Sequence, residues 1–123
     1  MNLNQVTVPV RDIAAAREFY LQLGLILIVD SAHYARFLCP NGDSTFSIIH
    51  DPNHQTNGAT IYFELDNLDE KVKELQDKGL EFLEQPSDKH YLWREAIIVD
   101  PSGNAIKLYH AGENRKNPPW RVK

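Results

Sequence analysis

The sequence predicts an α+β fold built from two copies of a βαβββ module, and three observations carry that expectation. DIAAAREFYLQLGL (12–25) and NLDEKVKELQDKGL (67–80) align without a gap at a constant offset of 55 residues, each with apolar residues at helical spacing. The same offset runs back through QVTVPV and TIYFEL, which alternate as strands do and pair Val6, Val8 and Val10 with Ile61, Phe63 and Leu65. Turn signals CPNGDS and DPSGN then stand between the last two strands of each copy.

Each copy opens on a strand whose apolar face is expected to meet the helices, while Gln5, Thr7, Thr60, Tyr62 and Glu64 share the other face. The helices follow, with Asp12 and Asn67 as N-caps and Glu70 completing a capping box with Asn67. Ile13, Ala16, Phe19, Tyr20 and Leu23 form the buried stripe of the first helix, and Leu68, Val72 and Leu75 that of the second; Gly24 and Gly79 end them. Three strands complete each copy: LILIVDS, AHYARFLCP and STFSIIH, then LEFLEQ, YLWREAIIV and NAIKLYH. One helix and four strands cannot close a core alone, so the copies are expected to share a sheet or pack on one another. The expected organisation is a single domain over residues 1–123, with module one at about 2–51, a linker at about 52–58, module two at about 59–110 and a tail at 111–123.

Composition narrows the function classes. A chain of 123 residues with 42% hydrophobic and 24% charged content is that of one soluble globular domain. A net charge of -4 and a pI near 5.7, with no Lys/Arg run, argue against nucleic acid as a partner. MNLNQVTVPV lacks the pattern of a secretion signal and no apolar run approaches a membrane span, so a cytoplasmic protein without a membrane partner is expected. The lone Cys39 reads as a thiol at the apolar end of a strand. HDPNH (50–54) gathers two histidines and an Asp, but in a Pro/Asn loop a four-residue spacing does not align side chains as it would on a helix; a polar linker is the reading. His33, His90 and His110 are scattered, and no nucleophile–base pair, phosphate loop, CxxC or HExxH motif is present.

V-P-V-R-D-I with F-Y-L-Q-L-G-L in the first copy, and L-D-N-L with the D-P-S-G-N-A-I-K-L-Y hairpin in the second, resemble the vicinal oxygen chelate superfamily, which includes glyoxalase I, extradiol dioxygenases, fosfomycin-resistance proteins and bleomycin-binding proteins. WRE before the DP turn and the PPWR ending resemble one branch of it. The resemblance covers nearly the whole chain and implies paired modules whose mixed sheets curl around a cavity, commonly completed by a homodimer. It also implies metal-ligand positions in the first and last strands of each module, which fall here on Gln5, Ser47, Thr60 and Lys107. Amide, hydroxyl and ammonium groups are a poor set for a divalent cation, and Lys107 would repel one. Lys107 is therefore expected to stand where the metal would be, with no cofactor.

Alternation from the face that the resemblance assigns to the cavity places Trp93, Glu95 and Ile97 with Lys107, and Glu64 with them, so Lys107 is expected to pair with Glu95 or Glu64. His110, of the opposite parity, is expected to leave on the other face. Tyr62, Trp93 and Tyr109 supply aromatic walls. The leading expectation is a homodimeric protein holding a small organic molecule in a metal-free, aromatic-walled cavity through Gln5, Thr60, Tyr62, Trp93, Glu95, Lys107 and Tyr109; Glu95 and Lys107 are the catalytic candidates if there is a reaction. One alternative is a divalent-metal lyase, isomerase or dioxygenase using His50, Glu64, Glu95 or a histidine brought across the dimer. Another is a structural or protein-binding module with a filled cavity. Pro118, Pro119 and Trp120 are expected to dock the tail on the domain or on a partner subunit.

Overall fold

The structure, a computed structural model, describes residues 1–55 and 58–123. Its elements run β1 (Gln5–Val10), α1 (Ile13–Leu23), β2 (Ile26–Asp30), β3 (Tyr34–Leu38), β4 (Thr45–His50), β5 (Thr60–Glu64), α2 (Leu68–Asp77), β6 (Glu84–Asp88), β7 (Arg94–Val99) and β8 (Ala105–His110), then a 3-10 turn, Gly112–Arg115. The strands make two four-stranded mixed sheets of one topology, β1-β4-β3-β2 and β5-β8-β7-β6. In each, the opening strand of the copy runs parallel to its last strand and the other neighbours are antiparallel. The fold is thus the expected α+β duplication. The chain divides into two compact units, Met1–Asn57 with Asp100–Asn104 and Gly58–Val99 with Ala105–Lys123. The expected linker over 52–58 includes Thr56 and Asn57, which lie outside the described residues.

In unit 1 the Asp12 carboxylate accepts from Ala15 N at 3.0 Å and starts α1, while Gly24 ends it at φ 103, a conformation that favours glycine. The apolar stripe puts Ala16, Phe19, Tyr20 and Leu23 inside, against Phe37, Phe46 and Ile48 of β3 and β4. Tyr20 is the centre, its ring 4.7 Å from Phe46 and 6.0 Å from Phe37. Each such ring, removed from water, is worth about 1.5–3 kcal/mol. The Tyr20 hydroxyl must also be satisfied, and it donates to Asp100 Oδ2 at 2.8 Å. Asp100, 2% exposed, also accepts from Ser102 N, Asn104 N and Asn104 Nδ2. Asn104 Nδ2 reaches Pro9 O at 2.9 Å, and Arg11 N donates to Ser102 Oγ. The DPSGN signal is therefore a buried polar knot as well as a turn. Burial and the Asp100 carboxylate push the Tyr20 phenol far above its usual range.

In unit 2, α2 packs Leu68, Val72 and Leu75 against a sheet core of Ala96, Ile98, Ile106 and Leu108. Two expectations change here. Asn67 makes no side-chain cap bond, so the capping box with Glu70 does not form; Asp69 and Glu70 in the first turn still complement the helix dipole. The strand expected in LEFLEQ lies instead at Glu84–Asp88, and Leu83 is exposed. Leu80 N is still held by Leu75 O at the helix end, and Pro86, which lacks an N–H, is tolerated because β6 is an edge strand with an irregular register. Gly79 takes φ 97 one residue beyond the Lys78 cap. The tail docks only in part. Asn114 O accepts from Trp93 Nε1 at 3.3 Å and Arg115 Nε lies 3.6 Å from Glu64, but Trp120 remains 57% exposed.

Candidate functional site

Strand register assembles one face of unit 2. Lys107 sits opposite Tyr62 on β5 and Ile97 on β7, and Tyr109 opposite Glu64 and Glu95. Side chains two residues apart share a face, so Thr60, Tyr62, Lys107, Tyr109, Glu95 and Ile97 line up as alternation predicts. Of the two candidate partners, Glu95 is the one Lys107 meets: Nζ lies 3.2 Å from Glu95 Oε2, with the carboxylate side chain 1% exposed and the lysine 22%. Oε2 is within ion-pair distance but has no aligned hydrogen bond, while Oε1 accepts from the Tyr91 hydroxyl. Burial pulls the Lys107 ammonium down, but the Glu95 carboxylate and the Tyr62 phenol outweigh it and hold the pKa above its ordinary value. Lys107 therefore stays charged.

Aromatic rings surround that pair. Trp93 and Tyr109 stack at 4.8 Å, Tyr62 meets both edge-on at 6.0 and 5.5 Å, and Lys107 Nζ lies 5.4 Å from the Tyr62 centroid, within cation–π range. Glu64, the other candidate, points its Oε2 at Ala111 N and Gly112 N at 2.8 and 3.0 Å. Its carboxyl pays a desolvation penalty, yet these two N–H groups with Arg115 and His110 hold its pKa below the usual carboxylate value. His110 sits with Asp66 at 3.6 Å and Glu64 at 4.0 Å, and His90 packs edge-on against Tyr91.

Gln5 and Ser47 belong to unit 1, where Ser47 is opposite Thr7 on β1 and Arg36 on β3. Thr7 and Tyr62 are related by the offset of 55, so Ser47 and Lys107 hold equivalent register positions. Ser47 is fully buried and accepts from Gln5 Nε2 at 2.7 Å; Gln5 Oε1 accepts from Thr45 Oγ1. The Tyr34 hydroxyl lies 2.7 Å from Ser47 Oγ and accepts from Arg36 Nε at 2.9 Å. Sequence reasoning missed Tyr34, Arg36, Thr45 and Tyr91. The first two were readable from parity in AHYARFLCP, counted across the hairpin from Ser47. Tyr91 was not, because it precedes β7 in a turn where Leu92 takes a left-handed φ of 67, which no strand period anticipates.

Gln5, Ser47, Thr60 and Lys107 do not fit a divalent cation: they offer amide, hydroxyl and ammonium in place of imidazole, carboxylate or thiolate, and the ammonium is bound to a carboxylate. In HDPNH, His50 Nε2 contacts Arg11 O, Asp51 Oδ1 accepts from Asn53 N, and His54 is buried. No group of three or more His, Cys, Asp or Glu placed to share a metal occurs among the described residues. The Cys39 thiol is half-buried, and desolvation raises its pKa. Among the described residues no helix is long and apolar enough to cross a membrane.

Two sheets of this topology, each with the last strand of a βαβββ copy beside its first, define a class of duplicated module. The family model of the Glyoxalase/Bleomycin resistance protein/Dioxygenase superfamily matches residues 2–108, and the chain belongs to that superfamily. Solved structures share the fold at low identity. A glyoxalase/bleomycin resistance protein/dioxygenase from Nocardioides aligns with a TM-score of 0.77 at 18% identity over 100% of this chain and 90% of its own. A bleomycin-binding protein complexed with bleomycin gives 0.72 at 19% over 89% and 98%, and the lactoylglutathione lyase of Agrobacterium tumefaciens 0.77 at 16% over 94% and 96%. The comparison with curated proteins yields no match.

Proposed function

We propose that this chain binds a small organic molecule on the sheet face of unit 2, without the divalent metal used elsewhere in the superfamily. The observation that carries the reading is the Lys107–Glu95 pair set among Tyr62, Trp93 and Tyr109. Lys107 orients an oxyanion or carbonyl, the rings stack on the ligand, Thr60 hydrogen-bonds it, and the unaligned Glu95 Oε2 accepts a hydrogen from it or takes a proton if a reaction follows. Gln5, expected in the same set, is engaged with Ser47 and Thr45 in unit 1. A fold that holds bleomycin in one of its structural neighbours is compatible with such a role; the assignment here rests on this chain's own residues. The working form in this reading is a cytoplasmic homodimer, checked by light scattering of the purified protein.

The test is a thermal-shift screen of small organic acids and carbonyl compounds, paired with metal analysis of untagged protein grown in metal-supplemented medium. Lys107→Ala alone would strand a buried carboxylate, so the informative variant is Lys107→Met with Glu95→Gln. It is expected to stay folded and to lose the ligand-induced rise in Tm. An undiminished rise in that variant rejects the site. Stoichiometric tightly held metal would instead favour a metal-dependent lyase, isomerase or dioxygenase.

A further inference from the structure

We propose that the sheet face of unit 1 carries an oxyanion site, built from Arg36 and Tyr34, that takes the carboxylate or phosphate of a small organic molecule. Ser47 Oγ is fully buried and receives the Gln5 amide hydrogen, and among the described residues the other polar atom bonded to it is the Tyr34 hydroxyl oxygen. A buried hydroxyl gives its hydrogen to the acceptor within reach, so Ser47 donates to Tyr34. The Tyr34 oxygen also receives Arg36 Nε–H. Both of its lone pairs are then engaged, and its own hydrogen is free to leave the network.

Arg36 completes the donor set. Its Nε is used by Tyr34, and neither terminal nitrogen has a hydrogen bond or ion pair among the described residues. The guanidinium lies over the Tyr34 ring, its carbon 5.4 Å from the centroid, but among the described residues no carboxylate pairs with it, so in a chain of net charge -4 its terminal nitrogens stay available to an outside anion. The two terminal N–H groups and the phenolic O–H make a patch that donates only, which fits an oxyanion. Around it the same sheet exposes apolar groups: Ile49, which pairs across the strands with Tyr34, and Leu38 and Val29. An anion carried on an organic body matches that mixture better than a free inorganic ion. Hydrogen bonds from Ser47 and Arg36 also lower the Tyr34 pKa, the direction expected of a phenol whose oxygen already accepts two donors.

The experiment is an NMR titration of ¹⁵N-labelled full-length protein with benzoate, phenyl phosphate and the neutral benzamide, following the Arg36 Nε–H and the Trp93 indole N–H. Saturable movement of the Arg36 signal with either anion, and at least ~10-fold weaker binding of benzamide, is expected; the tighter anion names carboxylate or phosphate as the natural group. Arg36→Gln is expected to weaken anion binding at least ~10-fold, and Tyr34→Phe by about 3-fold to 10-fold through loss of one donor. Benzamide acting as strongly as benzoate, anions that move only the Trp93 signal, or unchanged affinity in Arg36→Gln would overturn the proposal.

Discussion

Ser47 and Lys107 occupy the same register position in the two copies of the module, one opposite Thr7 and the other opposite Tyr62, and their surroundings have diverged completely. Across the next strand Ser47 meets Arg36, whereas Lys107 meets Ile97. One row further, Tyr34 of unit 1 stands where unit 2 has Glu95, and Ile49 where unit 2 has Tyr109. Each face therefore holds a central cation, on a different strand, with a carboxylate partner in unit 2 and, among the described residues, without one in unit 1. The helix-facing residues of the same strands stay apolar in both: Val8, Phe46 and Ile48 in one, Ile106 and Leu108 in the other. Register is held by that buried side, because a slip of one residue would turn it outward, and this leaves the opposite side free to acquire chemistry.

The hairpin turns sharpen the contrast. Gly42 and Gly103 adopt the same φ of 85, yet 41–44 is exposed and 100–104 holds the Asp100 knot. Asp100→Ala would leave the Tyr20 hydroxyl, two backbone N–H groups and the Asn104 amide short of an acceptor in a buried site. A loss of about 3–4 kcal/mol is expected, a large share of the stability of a domain this size, against less than about 0.5 kcal/mol for the exposed Asp43→Ala. Urea unfolding of the two variants measures the difference directly. Equal losses would mean that the two turns are not the contrasting structures described.

The central rows should also respond differently. Lys107→Ala strands the buried Glu95 and is expected to cost about 2–3 kcal/mol, while the double replacement Lys107→Met with Glu95→Gln should recover most of it. Ser47→Ala removes a neutral hydrogen-bonding hydroxyl whose partners are less buried, at about 1 kcal/mol. A double-mutant cycle at 95 and 107 without coupling would remove the electrostatic half of the comparison.

Much of this was legible in sequence, for a physical reason. An offset of 55 residues aligned the opening strands and the helices because the buried sides of both copies answer to the same packing constraint. That Lys107 shares a face with Glu95 and Glu64 followed from strand parity once the resemblance had assigned the cavity face. The choice against Glu64 did not, because it depends on the Ala111 and Gly112 N–H groups just beyond β8, whose aim is set by the 3-10 turn. LEFLEQ misled through its leucines: Leu80 is spent on ending α2, and the edge strand that follows accepts Pro86. Asn67 carries a capping residue's chemistry without making the bond, since its φ of -107 and ψ of 52 depart from the extended conformation that Asp12 adopts.

The smallest expected effect concerns Glu64, whose equivalent in the first copy is Pro9, a residue with nothing to titrate. Glu64 feels desolvation, but two backbone N–H groups, Arg115 and His110 together lower its folded pKa below the ordinary 4.5. It binds its proton less tightly folded than unfolded, so it favours the folded state while ionised. That contribution is complete above the unfolded value and is lost as pH falls through the lower folded one. Glu64→Gln should therefore cost up to about 1 kcal/mol near pH 7, discounted for its 30% exposed side chain, and should flatten the acid limb of a stability–pH profile. Chemical unfolding between about pH 3 and 7 tests this, with Pro9→Ala as the control that leaves the acid limb unchanged. An acid limb equally steep in Glu64→Gln would place the titrating group elsewhere, with Asp69 next in line, because its hydrogen bond to Arg94 lowers its pKa in the same direction.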